Sequence, residues 1–273
     1  MKIMKELLIN EFISVTEYGA SNPVIVKVND GKTYVLKTRY QSNLSLDENG
    51  MAEVLKDASL YIETLSYLLL QEIGFKHIPE IVYINIDDTA IEDAKFRFSS
   101  SSRERDKMAL ENIENSKGLN LGVRWIDNSE GAFEKFGTIP KTTLTMAINY
   151  DAYVMNVDRH ETNPNILFSK DDNRYYLIDF GNAFDSLMIF EDLYINSSAA
   201  SIVQWFEQYV FDINYLFFND IQSVVKYTKK FSKDDILNIM QKLPSEWKPN
   251  LLNDAIAEIL SKRVGSKEVF EDA

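Results

Sequence analysis

Cysteine is absent from this chain of 273 residues, and only two histidines occur, His77 and His160. Without cysteine the chain has no disulfide, no cysteine-ligated zinc, no iron–sulfur cluster and no cysteine nucleophile. Two histidines also exclude a site built from many imidazoles. Any chemistry must therefore rest on carboxylates, lysine, asparagine, serine or one of the two histidines.

Basic residues are fewer than acidic ones, and long hydrophobic runs are absent from the sequence. Lys and Arg number 29 against 42 Asp and Glu, which gives a net charge of −13. This charge disfavours general binding to nucleic acid or to an anionic membrane. No run of 18 or more apolar residues occurs, and the first segment lacks the pattern of a signal peptide. We expect a cytoplasmic protein without membrane insertion.

Glycine is scarce, with ten in the whole chain, but one begins a small-residue loop between two strand-like segments near the N-terminus. Small side chains let backbone amides approach a phosphate group closely. The pattern therefore predicts a phosphate-binding loop at this point. It consists of Gly19, Ala20, Ser21 and Asn22.

A lysine follows this loop at the place where a nucleotide-binding strand would carry one. After a hairpin signal at residues 29–31, the strand TYVLK ends on Lys37, which resembles the lysine of the V-A-I-K motif. Lys27 and Lys32 are rival candidates on the preceding strand and beside the turn. A helix predicted over residues 57–73 carries Glu63, the best candidate to pair with Lys37.

The most informative segment is residues 156–184, NVDRHETNPNILFSKDDNRYYLIDFGNAF. Asp158 precedes Asn163 by five positions, and Asp179 opens Asp-Phe-Gly at the end of a short apolar strand. Phosphoryl transfer from ATP needs a carboxylate near the attacking hydroxyl and hard oxygen ligands that hold Mg²⁺ against the phosphates. A loop aspartate can do the first task, and an asparagine with a second aspartate can do the second. The turn predicted at residues 171–173 would bring both parts together.

His160 has three open roles beside these residues. It orients Asp158, donates to a phosphate oxygen, or braces the loop, and we favour bracing with partial catalytic relevance. Residues 99–118 are charged and are predicted to form a mobile loop or a solvated helix.

Taken together, these segments resemble the HipA-like kinases, specifically the compact stand-alone members of bacteria. The Asp-Arg-His pattern is more distantly similar to that of phosphatidylinositol 3/4-kinases. The matching segments lie between residues 19 and 184 and read GASNP, VLK, Ile62-Glu63, GLNLGVRW, NVDRHETNPNIL and LIDFGNAF.

The resemblance implies a two-lobed, protein-kinase-like α+β fold, with a strand-rich N-lobe at 1–122 and a mainly helical C-lobe at 123–273. It also implies a Ser/Thr protein kinase that uses ATP and Mg²⁺. In this interpretation Asp158 is the catalytic base, and Asn163 and Asp179 bind the metal, with Asn165 competing with Asn163.

The remaining roles implied by the resemblance concern the nucleotide. Lys37 contacts the ATP phosphates, with Glu63 as its partner, and Ser21 and Asn22 belong to the phosphate loop. The hinge beside adenine is formed by Arg124, Trp125 and Ile126.

Other functions stay open from the sequence. A kinase of a small molecule or lipid is one, and a nucleotide-binding pseudokinase is another, because the phosphate loop has a single glycine. A protein substrate is the expected partner, and an antitoxin-like partner is a further alternative that no residue here supports.

Overall fold

The computed structural model describes most of the first half of the chain and parts of the second. The described residues are 4–17, 19, 21–41, 51–132, 139, 140, 143, 147, 150, 151, 153, 154, 156, 158, 159, 163–183, 231–247 and 253–265. Strands dominate the N-terminal part and helices accompany them, so the fold is mixed α+β.

Five strands form a closed barrel in the order β1-β2-β3-β5-β4. Only β1 and β4 run parallel, and the other neighbours are antiparallel. Valines at alternate positions of β2 are buried, which is the period-two pattern of a strand with one face in a core. The strands are β1 (Glu6–Val15), β2 (Val24–Val28), β3 (Thr33–Lys37), β4 (Ile81–Ile86) and β5 (Gly118–Arg124).

Three helices alternate with these strands along the chain: α1 (Met51–Ile73), α2 (Asp88–Phe98) and α3 (Glu104–Glu114). The side chains from Leu60 to Leu70 are all buried, so α1 is enclosed on every side along this stretch. The helix begins at Met51, before the predicted start at residue 57. None of the helices in the described part of the chain is long and apolar enough to cross a membrane.

The helices α2 and α3 pack against β1 and share one hydrophobic core with the barrel. The rings of Phe12 and Phe98 meet edge to face in this core, with centroids 6.0 Å apart. Of the two alternatives predicted for residues 99–118, the structure has a helix, α3, but one side of it is buried and not solvated, since Ala109 and Ile113 are fully buried. Alanines replace large apolar residues on the inner faces of both helices, which is why the sequence pattern is weak.

A second sheet is formed by β6 (Ser129–Gly131), β7 (Ile166–Ser169) and β8 (Arg174–Leu177), all antiparallel. The turn predicted between β7 and β8 is confirmed, and Asn173 there adopts a φ of +56°. The described residues after this sheet include the helices α4 (Lys233–Met240) and α5 (Asn253–Gly265). The start of α4 is fixed by a capping box between Ser232 and Asp235.

The chain divides into two compact units, neither of which is contiguous in sequence. The assignment of lobes to residues 1–122 and 123–273 therefore stays a prediction. The first unit comprises Met1–Thr64, Pro79–Ile126 and Pro244–Pro249; the second comprises Leu65–Ile78, Asp127–Leu243 and Asn250–Ala273.

A short segment far along the chain completes the first unit. It contains the 3₁₀ helix Ser245–Trp247, in which Trp247 is fully buried. The indole Nε1 donates to the Leu119 carbonyl at 2.8 Å, and the ring meets Tyr83 edge to face. The Glu246 carboxylate accepts from the Leu119 amide at 3.0 Å. The two hydrogen bonds to Leu119 anchor the beginning of β5.

Gly122 in β5 provides a test of barrel packing. A Cβ at this position would lie 2.5 Å from Ile84 Cδ1 and 2.8 Å from Val82 Cγ2, so Gly122→Ala overfills the interior. We expect a loss of about 1–3 kcal/mol in the free energy of unfolding, measured by urea denaturation. Gly131→Ala is the control, because open space surrounds its new Cβ. Equal stability of the two variants would contradict this packing.

Candidate active site

In the first unit, Lys37 and Glu63 form a two-pronged ion pair. The Nζ atom of Lys37, at the end of β3, lies 2.6 Å from Glu63 Oε1 and 2.8 Å from Oε2. The glutamate side chain, on α1, is 2% exposed, and the lysine side chain is 15% exposed. The predicted pairing of these two residues is therefore confirmed, whereas their contact with a nucleotide stays a prediction.

The rival lysine Lys32 has a different setting. Its Nζ atom lies 2.7 Å from Glu80, and the two side chains are 41% and 39% exposed, as in an ordinary surface ion pair. Lys27 is an exposed residue of β2.

The predicted phosphate loop joins β1 to β2 through a compact turn. Its closing bonds run from the Thr16 amide to the Pro23 carbonyl at 3.0 Å and from the Asn22 amide to the Gly19 carbonyl at 3.4 Å. Gly19 has a φ of +93° and Asn22 a φ of +50°, a region that glycine and asparagine tolerate best. Ala20 lies outside the described residues.

The predicted hinge continues from the end of β5. The Arg124 amide donates to the Glu80 carbonyl at 2.8 Å, and the Trp125 amide donates to the Thr33 carbonyl at 3.0 Å. Both N–H groups are thus used within the first unit, and contact of these residues with adenine stays a prediction. Ile126 follows at the last position of this part of the first unit.

In the second unit, Asp158 is held by two asparagines. Asn165 Nδ2 donates to the Asp158 carboxylate at 3.1 Å, and Asn163 Nδ2 donates to the Asp158 backbone carbonyl at 3.2 Å. All three side chains are half-buried. The structure therefore brings Asp158 together with both candidate metal-binding asparagines and distinguishes their contacts. His160 lies outside the described residues.

Arg159 is a fully buried side chain that ties this loop to its surroundings. Its Nε atom lies 2.6 Å from Asp151 Oδ2, and neither side chain is exposed by more than 1%. The guanidinium also donates to three backbone carbonyls, at distances of 2.5 to 3.3 Å. Those carbonyls belong to Pro164, Asn165 and Ile178. One side chain thus connects a helical segment, the loop after Asp158, and the residue preceding Asp179.

The pKa of Asp151 depends on its burial and on the groups that contact it. Burial raises the pKa of the Asp151 carboxyl, and the Arg159 guanidinium and the Asn156 amide counteract that rise. Asn156 Nδ2 donates to the second carboxylate oxygen at 2.9 Å. Every strong acceptor site of Asp151 is therefore directed at a donor, as a buried charge requires.

The Asp-Phe-Gly segment is fixed by its phenylalanine. Phe180 is fully buried, and its ring meets Tyr67 and Tyr150 edge to face, with centroids 5.1 and 5.6 Å away. The Arg159 guanidinium carbon lies 5.0 Å from the same ring, within the range of a cation–π contact. Asp179 itself is half-buried and adopts a φ of +60°. Such strained backbone persists where the surroundings hold it, as Phe180 does here.

The donor set for a metal is small. Within the described part of the chain, no group of three or more His, Asp or Glu side chains is placed to hold an ion. The two predicted ligands, Asn163 and Asp179, offer oxygen donors, which suit a hard cation that keeps several waters or phosphate oxygens. Both belong to the second unit.

Sequence reasoning missed Arg159 and Asp151 as parts of the site. Asp151 precedes Arg159 by eight residues in a segment that reads as an ordinary amphipathic helix. The available signal was an aspartate on the apolar side of that helix, close to Ile148 and Met155. A charge among core positions indicates a buried partner.

Comparisons with known proteins agree with these motifs. A family model described as HipA-like kinase matches residues 9–265. The chain is also similar to two solved structures with 11% sequence identity, both of a Golgi casein kinase. One, with Mn and ADP bound, has a TM-score of 0.47, covering 100% of this chain and 74% of that chain. The other has a TM-score of 0.48, with coverages of 99% and 73%. No curated protein gives a significant match.

The buried pair predicts a large loss of stability on removal of one partner. Arg159→Met keeps much of the side-chain volume but leaves Asp151 buried without its cation. We expect a loss of about 3–5 kcal/mol in the free energy of unfolding, measured by urea denaturation. Replacing Asp151 by leucine in the same variant removes the stranded charge and should restore part of that loss.

The control is Lys170→Met in the same unit. Lys170 pairs with Glu130 at 2.7 Å, but its side chain is 49% exposed. An exposed pair contributes no more than about 1 kcal/mol, so this variant should retain nearly full stability. Similar losses for Arg159→Met and Lys170→Met would contradict the role assigned to burial.

Proposed function

The chain belongs to the HipA-like kinase family and is a kinase. We propose that it uses Mg²⁺ and transfers the γ-phosphoryl group of ATP to a Ser or Thr hydroxyl of a protein. The observation that carries the proposal is the bidentate pair between Lys37 and the buried Glu63. Protein kinases use a strand lysine and a helix glutamate in this way to hold ATP phosphates.

Lys37 supplies positive charge that is in place before the nucleotide arrives. Both oxygens of Glu63 hold its ammonium group, and the glutamate cannot move because α1 is enclosed around it. Phosphates bound there meet a charge whose side chain needs no further ordering. Such preorganisation favours both binding and the charge distribution of the transition state.

Asp158 is assigned the role of base. The bond from Asn165 Nδ2 fixes the rotation of its carboxylate, and Arg159 fixes the loop on which it lies. As the substrate hydroxyl oxygen forms its bond to phosphorus, the hydroxyl proton moves to an Asp158 carboxylate oxygen. The bond from phosphorus to the bridging oxygen of ATP breaks, and ADP leaves.

For the metal, we assign Asn163 and Asp179, in preference to Asn165. Asn165 uses its amide nitrogen on the Asp158 carboxylate, which makes it a positioning group for the base. Asn163 donates its amide nitrogen to the Asp158 backbone carbonyl and not to the carboxylate, and we assign its amide oxygen to the cation. The residues present fit Mg²⁺, which when bound neutralises phosphate charge and orients the γ-phosphate.

A protein acceptor is proposed over a lipid because of charge. The net charge of −13 opposes approach to an anionic membrane surface. A pseudokinase is disfavoured because lysine, base and both metal-binding residues are all present, and pseudokinases commonly lack one.

Calorimetric titration with ATP, with and without Mg²⁺, tests the proposal. We expect Mg²⁺-dependent binding by the wild type and loss of the Mg²⁺ dependence in Asp179→Ala. Lys37→Ala should weaken binding roughly 10- to 100-fold, as loss of a charge-assisted hydrogen bond would. Glu63→Gln keeps an acceptor oxygen in the pair and should weaken binding less.

Lys32→Ala is the matched control, because it removes a lysine from an exposed pair near the same strand. Its ATP affinity should equal that of the wild type. Equal effects of the two lysine variants would contradict the assignment of Lys37. Phosphorylation of a lipid or metabolite, without any phosphoprotein, would reverse the choice of acceptor.

A further inference from the structure

One face of α3 is directed at the predicted phosphate loop. Arg105, Met108 and Asn112 are spaced by three and four residues, which places them along one side of the helix. Each of the three contacts a residue between positions 16 and 22. The face therefore contacts the segment before β2 at Thr16, Gly19, Ser21 and Asn22.

The contacts are mainly hydrogen bonds to loop carbonyls. Arg105 donates from Nε to the Thr16 carbonyl at 3.0 Å and from Nη2 to the Gly19 carbonyl at 2.8 Å. Asn112 donates from Nδ2 to the Ser21 carbonyl at 3.2 Å. Two side chains of α3 thus bind three carbonyls of the loop.

Asn22 adds a fourth contact at the end of the loop. Its side chain is only 4% exposed, and Nδ2 lies 3.6 Å from Met108 Sδ. The same residue has a left-handed φ of +50°, and its backbone N–H donates to the Gly19 carbonyl. The side chain is therefore packed onto α3, which helps to hold this strained backbone.

The helix behind these contacts is a fixed support. Ala109 and Ile113 are fully buried in the barrel core together with Phe98 of α2. Asn112 is itself 1% exposed, so its amide has no freedom to move with the loop. Displacing the loop from α3 would break bonds to groups that cannot follow.

The bonds from α3 to the carbonyls matter for phosphate binding. A loop that binds an anion must direct N–H groups at it and keep carbonyl oxygens away, because those oxygens repel negative charge. Glycine-rich loops reach such conformations through backbone freedom, but this loop has only Gly19. Here α3 supplies donors for three carbonyls instead.

We propose that Arg105 and Asn112 are positioning residues that hold the carbonyls of Thr16, Gly19 and Ser21 in the arrangement that phosphate binding needs. This inference rests on the proposed binding of ATP. It assigns a task to α3, a helix that carries no recognised kinase motif.

The test compares the affinity of the full chain for ATP and for adenosine. Adenosine lacks phosphates, so a change confined to the phosphate loop leaves its binding unaltered. We expect Arg105→Ala to weaken ATP binding roughly tenfold while adenosine affinity stays the same. Arg105→Lys retains one donor and should give an intermediate loss for ATP.

Arg97→Ala is the matched control. Arg97 on α2 also donates to a backbone carbonyl at 2.8 Å, but the acceptor is Ile13 in β1. This variant should bind both ligands like the wild type. Equal losses for ATP and adenosine in Arg105→Ala would overturn the inference, since they indicate a general structural defect.

The outcomes separate this inference from the function on which it rests. Wild-type binding of ATP with unchanged ATP affinity in Arg105→Ala and Arg105→Lys would overturn the inference alone. Absence of ATP binding by the wild type would overturn the proposed function, and the inference with it.

Discussion

The buried ion pair between Arg159 and Asp151 is the constraint on which the second unit depends. A guanidinium without contact to water needs partners for its N–H groups, and here the Asp151 carboxylate and backbone carbonyls from two segments accept from it. If either segment shifted, buried N–H groups of Arg159 would lose their acceptors. Asp158 precedes Arg159 directly and Asp179 follows the bonded Ile178, so both carboxylates take their positions from one side chain.

In the first unit, too, side chains that are buried or partly buried fix the positions of functional groups. Glu63 lies inside an enclosed helix and fixes Lys37, while α3 fixes the carbonyls of the loop before β2. In both places a buried or half-buried side chain sets the position of a group that would meet the ligand. Side chains thus do here what several glycines would otherwise do through backbone conformation. The two units each contain a prearranged set of groups suited to one part of phosphoryl transfer.

Local signals in the sequence predicted much of this arrangement. Strand alternation and turn residues predicted the hairpins, and the position of Lys37 after a small-residue loop predicted its pairing with Glu63. The partner of Arg159 was not predicted, because Asp151 lies in a helix whose pattern gives no sign of what packs against it. Trp247 was missed for a related reason: its acceptor lies 128 residues earlier in the chain, and no local pattern encodes such a contact.

In the proposed mechanism, Asp158 takes the proton of the acceptor hydroxyl during phosphoryl transfer from ATP. The most direct measurement is transfer of labelled γ-phosphate from Mg–ATP to protein by the wild type and by Asp158→Asn, with ATP affinity measured for both. We expect transfer by the wild type only, whereas the wild type and Asp158→Asn bind ATP with nearly equal affinity. Undiminished transfer by Asp158→Asn would contradict it.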